Sequence, residues 1–201
     1  AFGDFANTTI SVDTAAINST AGNISINAGQ IDFQNTTDLT RPNSGERFSF
    51  VADNTIVGQT DGGNNNIAVS GGGFSITTAG GTGTITFSAG GSVDLTGVTL
   101  VTGGAALVSV TSGSGTTLGS INSGGGVTVN SGAGVTLTGG VSASGAANIT
   151  GAGTVALGGN AVSGSSISIA ANGATSDITS GLGGTITSNA TTVGLTAGRN
   201  V

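Results

Sequence analysis

The feature that most constrains this chain is a run of more than eighty residues, Leu95 to Ser176, without a single charged side chain. Within that run short apolar pairs recur at a fixed spacing. Val127 and Val129 flank a threonine, Ala147 and Ile149 flank an asparagine, and Ile167 and Ile169 flank a serine, each pair the same step after the last. Alternation with a period of two is the pattern of a strand with one buried face. A strand of three to five residues cannot bury that face alone. A repeat of roughly 20 to 50 residues is the mark of a solenoid, in which each unit is covered by the next.

Two further series run in step. One passes through Leu118, Leu137 and Leu157 and extends to Ile178. The other passes through Ile121, Val141 and Val162 and extends to Leu182. Each unit of roughly 20 residues, at the short end of solenoid periods, then holds three short strands joined by Gly, Ser or Asn turns. The expected fold is all-β, a right-handed parallel β-helix with three-strand coils. Val127, Val129, Ile149, Ile167 and Ile169 point inward, and Thr128, Asn148 and Ser168 outward. Ten such coils make a rod roughly 50 Å long at the spacing of paired strands. Closer to the N-terminus, matching Ile67/Val69 to Ile85/Phe87 and Phe74/Ile76 to Val93/Leu95 gives slightly shorter steps, which implies tighter turns there. A β-sandwich also uses short alternating strands, but it rarely keeps one period over several units.

Composition divides the chain in two. Residues 1–66 hold seven of the nine acidic residues, two of the three arginines, five of the seven phenylalanines and few of the 40 glycines. They read as less regular coils. Residues 67–201 are the Gly/Ser/Thr-rich regular coils. Between Phe33 and Phe48 lies a polar excursion at about 34–47. It contains Arg41-Pro42-Asn43-Ser44-Gly45, which no central strand accommodates. Asp38, Arg41, Pro42, Glu46 and Arg47 make it the expected place for specific recognition, because binding residues concentrate on loops set on a rigid scaffold. An inert solubilising loop is the alternative. Phe2 and Phe5 are expected to cover one end of the core.

Several function classes find little material. The net charge is −6 and only Arg41, Arg47 and Arg199 are positive, so phosphates meet no basic surface and nucleic-acid binding is not expected. No apolar run is long enough to cross a bilayer. With no His, Cys, Lys or Tyr, acid–base chemistry would fall to carboxylates alone. Asp32, Asp38, Glu46 and Asp53 are the clustered ones. The calcium-binding Gly-Gly-x-Gly-x-Asp pattern is absent, and Asp61 with Asn64 to Asn66 reads as a turn. Neither an enzyme nor a cofactor or metal site is expected.

The phrases Ala21-Gly22-Asn23-Ile24-Ser25-Ile26-Asn27-Ala28-Gly29, Gly90-Gly91-Ser92-Val93-Asp94-Leu95-Thr96 and Leu195-Thr196-Ala197-Gly198-Arg199-Asn200-Val201 resemble the β-helix repeats of filamentous haemagglutinin-like secreted bacterial adhesins. The resemblance covers most of 20–33 and 67–201. It implies an extracellular or cell-surface location and a fibrous stalk without catalytic residues. Its partners would be a host or neighbour-cell surface, a polysaccharide, or other copies of the chain. Alternatives are a filament subunit whose coils stack end to end, and a polysaccharide-binding or ice-binding β-helix. Ice binding needs an unbroken outward threonine ladder. Thr82, Thr84 and Thr86 form one row and Thr136 and Thr138 another, but Ala156 and Gly158 follow one coil later.

Overall fold

The computed structural model describes residues 84–201 continuously and, before them, the strands between residues 9 and 78. Side chains are described for residues 75–77 and 84–201. The described residues form 22 strands and no helix. Every strand pairing among them is parallel. The strands wind as a β-solenoid with a spacing of about 21 residues, and the continuous part makes about 5 turns.

Each turn visits three faces in the same order. The first face carries Thr9–Val12, Gln30–Gln34, Ile67–Ser70, the start of Val93–Thr102, the start of Thr116–Ser123, Val135–Leu137, Val155–Ala156 and Ile178–Thr179. The second carries Ala16–Ser19, Ser49–Ala52, Phe74–Thr78, the ends of the two long strands, Val141–Ala143, Val162–Gly164 and Ile186–Ser188. The third is an eight-stranded sheet of its own: Ile24–Ala28, Ile56–Thr60, Ile85–Ala89, Val108–Ser112, Val127–Ser131, Ala147–Gly151, Ile167–Ala171 and Val193–Ala197. The first two faces merge into one sheet because Val93–Thr102 and Thr116–Ser123 run around the corner between them. A register shift between Leu95 and Thr99 marks that corner. The ladders cross the 66/67 composition boundary unbroken, Gln30–Gln34 pairing with Ile67–Ser70 and Ile56–Thr60 with Ile85–Ala89.

The alternation seen in the sequence becomes rows of stacked side chains. On the third face, Ile85, Val108, Val127, Ala147 and Ile167 pair in succession, as do Phe87, Val110, Val129, Ile149 and Ile169. All ten are buried. Thr128 is half-buried, and Asn148 and Ser168 are exposed. Parallel pairing holds neighbouring strands about 4.8 Å apart, so each branched side chain lies on its equivalent in the next turn. A narrow interior of this kind is filled by small branched residues without large aromatics. Phe87 is the one aromatic among the described side chains, and the residue paired with it in the preceding turn is Gly58.

Corners obey a different chemistry. Ser112, Thr116, Ser123, Ser131 and Thr102 are buried. Ser112 Oγ lies 2.6 Å from Thr116 Oγ1 and 3.2 Å from Ser131 Oγ. Thr102 Oγ1 lies 3.1 Å from Ser123 Oγ, and both donate to the Ala106 carbonyl. A buried hydroxyl without a partner would be costly, and among the described residues no buried side-chain polar atom lacks one. Where the chain turns most tightly no side chain fits. A Cβ on Gly132 would run into the Gly113 carbonyl oxygen in the turn below.

Four expectations need correction. Ile67 pairs with Val93, and Phe74 and Ile76 pair with Val98 and Leu100, so the early turns are longer than the regular ones, not tighter. All three faces offer the same alternating apolar pairs, and matching by spacing alone slips the alignment by one face. Ile178 pairs with Val155, two residues before the expected Leu157, although Leu157 is itself buried. Leu182 is 103% exposed, and Ile186 takes its place on Val162. Residues 181–184 leave the wall in a turn in which Gly183 has φ 88° and the Gly184 amide donates to the Gly181 carbonyl. Finally, because turns vary in length, each face carries eight described strands in place of ten coils.

Candidate functional site

The expected recognition residues Asp38, Arg41, Pro42, Glu46 and Arg47 lie outside the described residues, as do Phe2, Phe5 and the Asp61 to Asn66 turn. The strands that flank the excursion are described. Gln30–Gln34 ends on the first face and Ser49–Ala52 begins the second.

Among the described side chains outside the corners, two polar groupings stand out. The first is the outer surface of the third face. One row runs Thr86, Ser109, Thr128, Asn148, Ser168 and a second runs Ser88, Thr111, Asn130, Thr150. Neither row carries a charge. The threonine ladder breaks on the third face at Ser109 and Asn148. On the first face it breaks where Thr136 pairs with Ala156.

The second is the end of the described chain. Arg199 lies beside Asp177, with Nε donating to Oδ1 at 3.0 Å and a second guanidinium nitrogen donating to Oδ2. The Asn200 amide and its side-chain amide both donate to the same Oδ1 at 3.1 Å. The fork of hydrogen bonds from Arg199 is the main cause that holds the Asp177 carboxyl down to about 2. Its partner is raised for the same reason. The Arg199 side chain is 59% exposed and that of Asp177 16%, so water screens the cation and the pair orients chain more than it stabilises it. The chain it orients is the beginning of a further turn. The Ile178 amide donates to the Asn200 carbonyl at 2.9 Å, as the Val155 amide donates to the Asp177 carbonyl at 2.9 Å one turn earlier.

Asp94 plays a local part. Its Oδ1 accepts from the Thr96 amide at 3.0 Å and from Thr96 Oγ1 at 2.6 Å, shaping the corner at the Leu95 register shift. Among the described residues no three His, Cys, Asp or Glu side chains come together, and no helix is long and apolar enough to cross a membrane.

Sequence reasoning missed the Asp177–Arg199 clamp, although the signal was present. The two opposite charges stand 22 residues apart, close to one turn. It missed the buried corner hydroxyls too. Their signal was parity, since Ser112 and Ser131 continue the inward positions of Val110 and Val129.

Comparison with known protein families, with curated proteins and with solved structures finds no match.

Proposed function

We propose that this chain is a non-enzymatic structural and adhesive segment of a bacterial cell-surface or extracellular fibre, acting as a rigid rod. The observation that carries the reading is the unbroken stacking of inward rows beneath an outward surface of small uncharged side chains. Such a wall offers spacing and stiffness. It presents repeated hydroxyls and amides where an active site would gather acids and bases. The adhesin-like repeat phrases support the location, and residues 34–47 are the segment assigned to recognition.

The test is where the chain resides. An antibody raised against the 201-residue chain should label intact, unpermeabilised cells of the source bacterium or the fibres shed from them. Labelling that requires permeabilisation would overturn the reading.

A further inference from the structure

Asn172-Gly173 is the one Asn-Gly pair in the chain, and it stands at a corner that departs from the regular plan. The corner between Ala147–Gly151 and Val155–Ala156 is short, and the next one, between Ile167–Ala171 and Ile178–Thr179, is longer. In the two corners before it, the amide at the equivalent position is bonded to the turn below. Ala133 donates to the Ser114 carbonyl at 3.0 Å, and Gly153 to the Ala133 carbonyl at 2.9 Å. In the longer corner the Asn172 amide still donates, to the Gly151 carbonyl at 2.8 Å, but the Gly173 amide has no acceptor among the described residues. The chain turns aside there, and the Ser176 amide closes onto the Gly173 carbonyl at 2.9 Å.

Packing demands a glycine at 173, since a Cβ there would run into Ser176 Oγ and the Ala152 carbonyl oxygen. The same glycine leaves its nitrogen unhindered by a side chain. Asparagine is a thermolabile residue, and Asn172 is exposed, with no hydrogen bond to its side-chain amide among the described residues. Other asparagines are held. Asn122, Asn130 and Asn148 lie in strands paired on both sides, where the ladder engages the backbone amides. The side-chain nitrogen of Asn160 donates to the Leu137 and Leu157 carbonyls, and that of Asn200 to Asp177. Asn189 is as exposed as Asn172, but the Cβ of Ala190 crowds the nitrogen that follows it.

We propose that Asn172 is a site of spontaneous covalent modification, at which the free Gly173 nitrogen converts the side-chain amide to a carboxylate. The Gly173 nitrogen attacks Cγ of Asn172 and closes a cyclic imide. The bond from Cγ to the side-chain nitrogen breaks, and ammonia leaves, carrying the proton that Gly173 gave up. Water then opens the ring. Opening at Cγ gives aspartate, and opening at the main-chain carbonyl carbon gives isoaspartate. Nothing is oxidised or reduced; water is consumed and ammonia released. Either product puts the first charge into the run from Leu95 to Ser176. Isoaspartate also lengthens the backbone by one carbon beneath Gly198, where a Cβ on Gly198 would already meet the Gly173 carbonyl oxygen. The corner has no room for it. The Gly198 and Arg199 amides, which donate to the Ala171 and Ser176 carbonyls, then lose their hold.

The experiment is to age the intact, folded chain at mildly alkaline pH and map its peptides by mass spectrometry, with enzymatic methylation of isoaspartate as a second readout. The peptide that holds Asn172 should convert several-fold faster than the one that holds Asn189, while Asn122, Asn130 and Asn148 stay intact. Isoaspartate should be the larger product. The rate should rise with pH, because the attacking nitrogen must lose its proton. Asn172→Gln keeps the corner and its glycine and should abolish the isoaspartate signal from that peptide. In the aged wild-type chain, amide exchange at Gly198 and Arg199 should rise relative to Val129. An Asn172 that persists as long as Asn130 overturns the proposal. So does aspartate formed without isoaspartate, or conversion at the same rate at every asparagine. Unchanged exchange at Gly198 in the converted chain overturns the loosening of the corner.

Discussion

The middle turns and the last turn share one plan and are held together differently. On the third face Val108, Val127, Ala147 and Ile167 follow one another at nearly equal steps, and every inward residue there is buried by a neighbour on each side. From Ile167 to its partner Val193 the step is distinctly longer. Leu182 leaves the wall, and the inward rows end in the partly exposed Ile186, Leu195 and Ala197. There the only described ion pair, Asp177 with Arg199, ties one turn to the next. The difference shows what a solenoid turn owes to its neighbours. Burial of the inward rows depends on the turns above and below as well as on the facing strands of the same turn.

The largest expected effect breaks a middle row. Ile149→Asp places a carboxylate between Val129 and Ile169 with no partner, at a cost of several kcal/mol. Thr128→Asp, on the outer side of the same sheet, should leave the thermal midpoint nearly unchanged. The comparison sharpens with alanine. Ile149→Ala should cost about 2–5 kcal/mol, the usual range for a buried isoleucine, and Ile186→Ala in the last turn distinctly less. Equal losses would mean that the two regions are packed alike.

Next come the corners. Gly132→Ala forces a methyl toward the Gly113 carbonyl and should cost about 1–3 kcal/mol as overpacking. Gly115→Ala meets nothing within 4 Å and should change stability by less than about 0.5 kcal/mol. Paired thermal melts of the two variants separate close backbone approach from a general intolerance of alanine in the turns.

Among the described residues, an effect of pH is expected at the last turn. Asp177 is depressed from 3.8 to about 2, chiefly by hydrogen bonding to Arg199. A carboxyl lowered by folding contributes above its unfolded value, and that contribution is lost as pH falls through the folded one. Amide exchange at Ile178, which donates to Asn200, should therefore rise relative to Val129 between about pH 4 and pH 2. Asp177→Asn should abolish that difference. The smallest effect is expected at Leu182, where replacement by serine removes a fully exposed side chain and should shift stability by less than about 0.5 kcal/mol.

How much of this was legible in the sequence follows from the physics of repetition. The inward identity of Val127, Val129, Ile149, Ile167 and Ile169 could be read directly, because parity and period agree over three consecutive turns. Registration near Ile67 and Phe74 could not. Parallel ladders accept any length of connection, and an apolar pair from one face resembles a pair from another. Leu182 failed for the same reason: a four-residue excursion moved the next apolar residue into its row. The buried serines were masked by their type: parity marks Ser112 and Ser131 as inward, but a hydroxyl there is satisfied by corner carbonyls, such as that of Ser114, whose position the sequence does not show. Residues 38–47 lie outside the described residues, and their assignment to recognition is a proposal.

The central claim is the parallel registration of successive turns, and the absence of cysteine from the chain makes it directly measurable. Thr128→Cys with Asn148→Cys, and Thr128→Cys with Ser168→Cys, place spin labels at outward positions one and two turns apart. Electron paramagnetic resonance should show backbone separations of about 5 Å for the first pair and about 10 Å for the second, the spacing of neighbouring strands. Weak coupling in the first pair, or a shorter distance in the second, would contradict the stack.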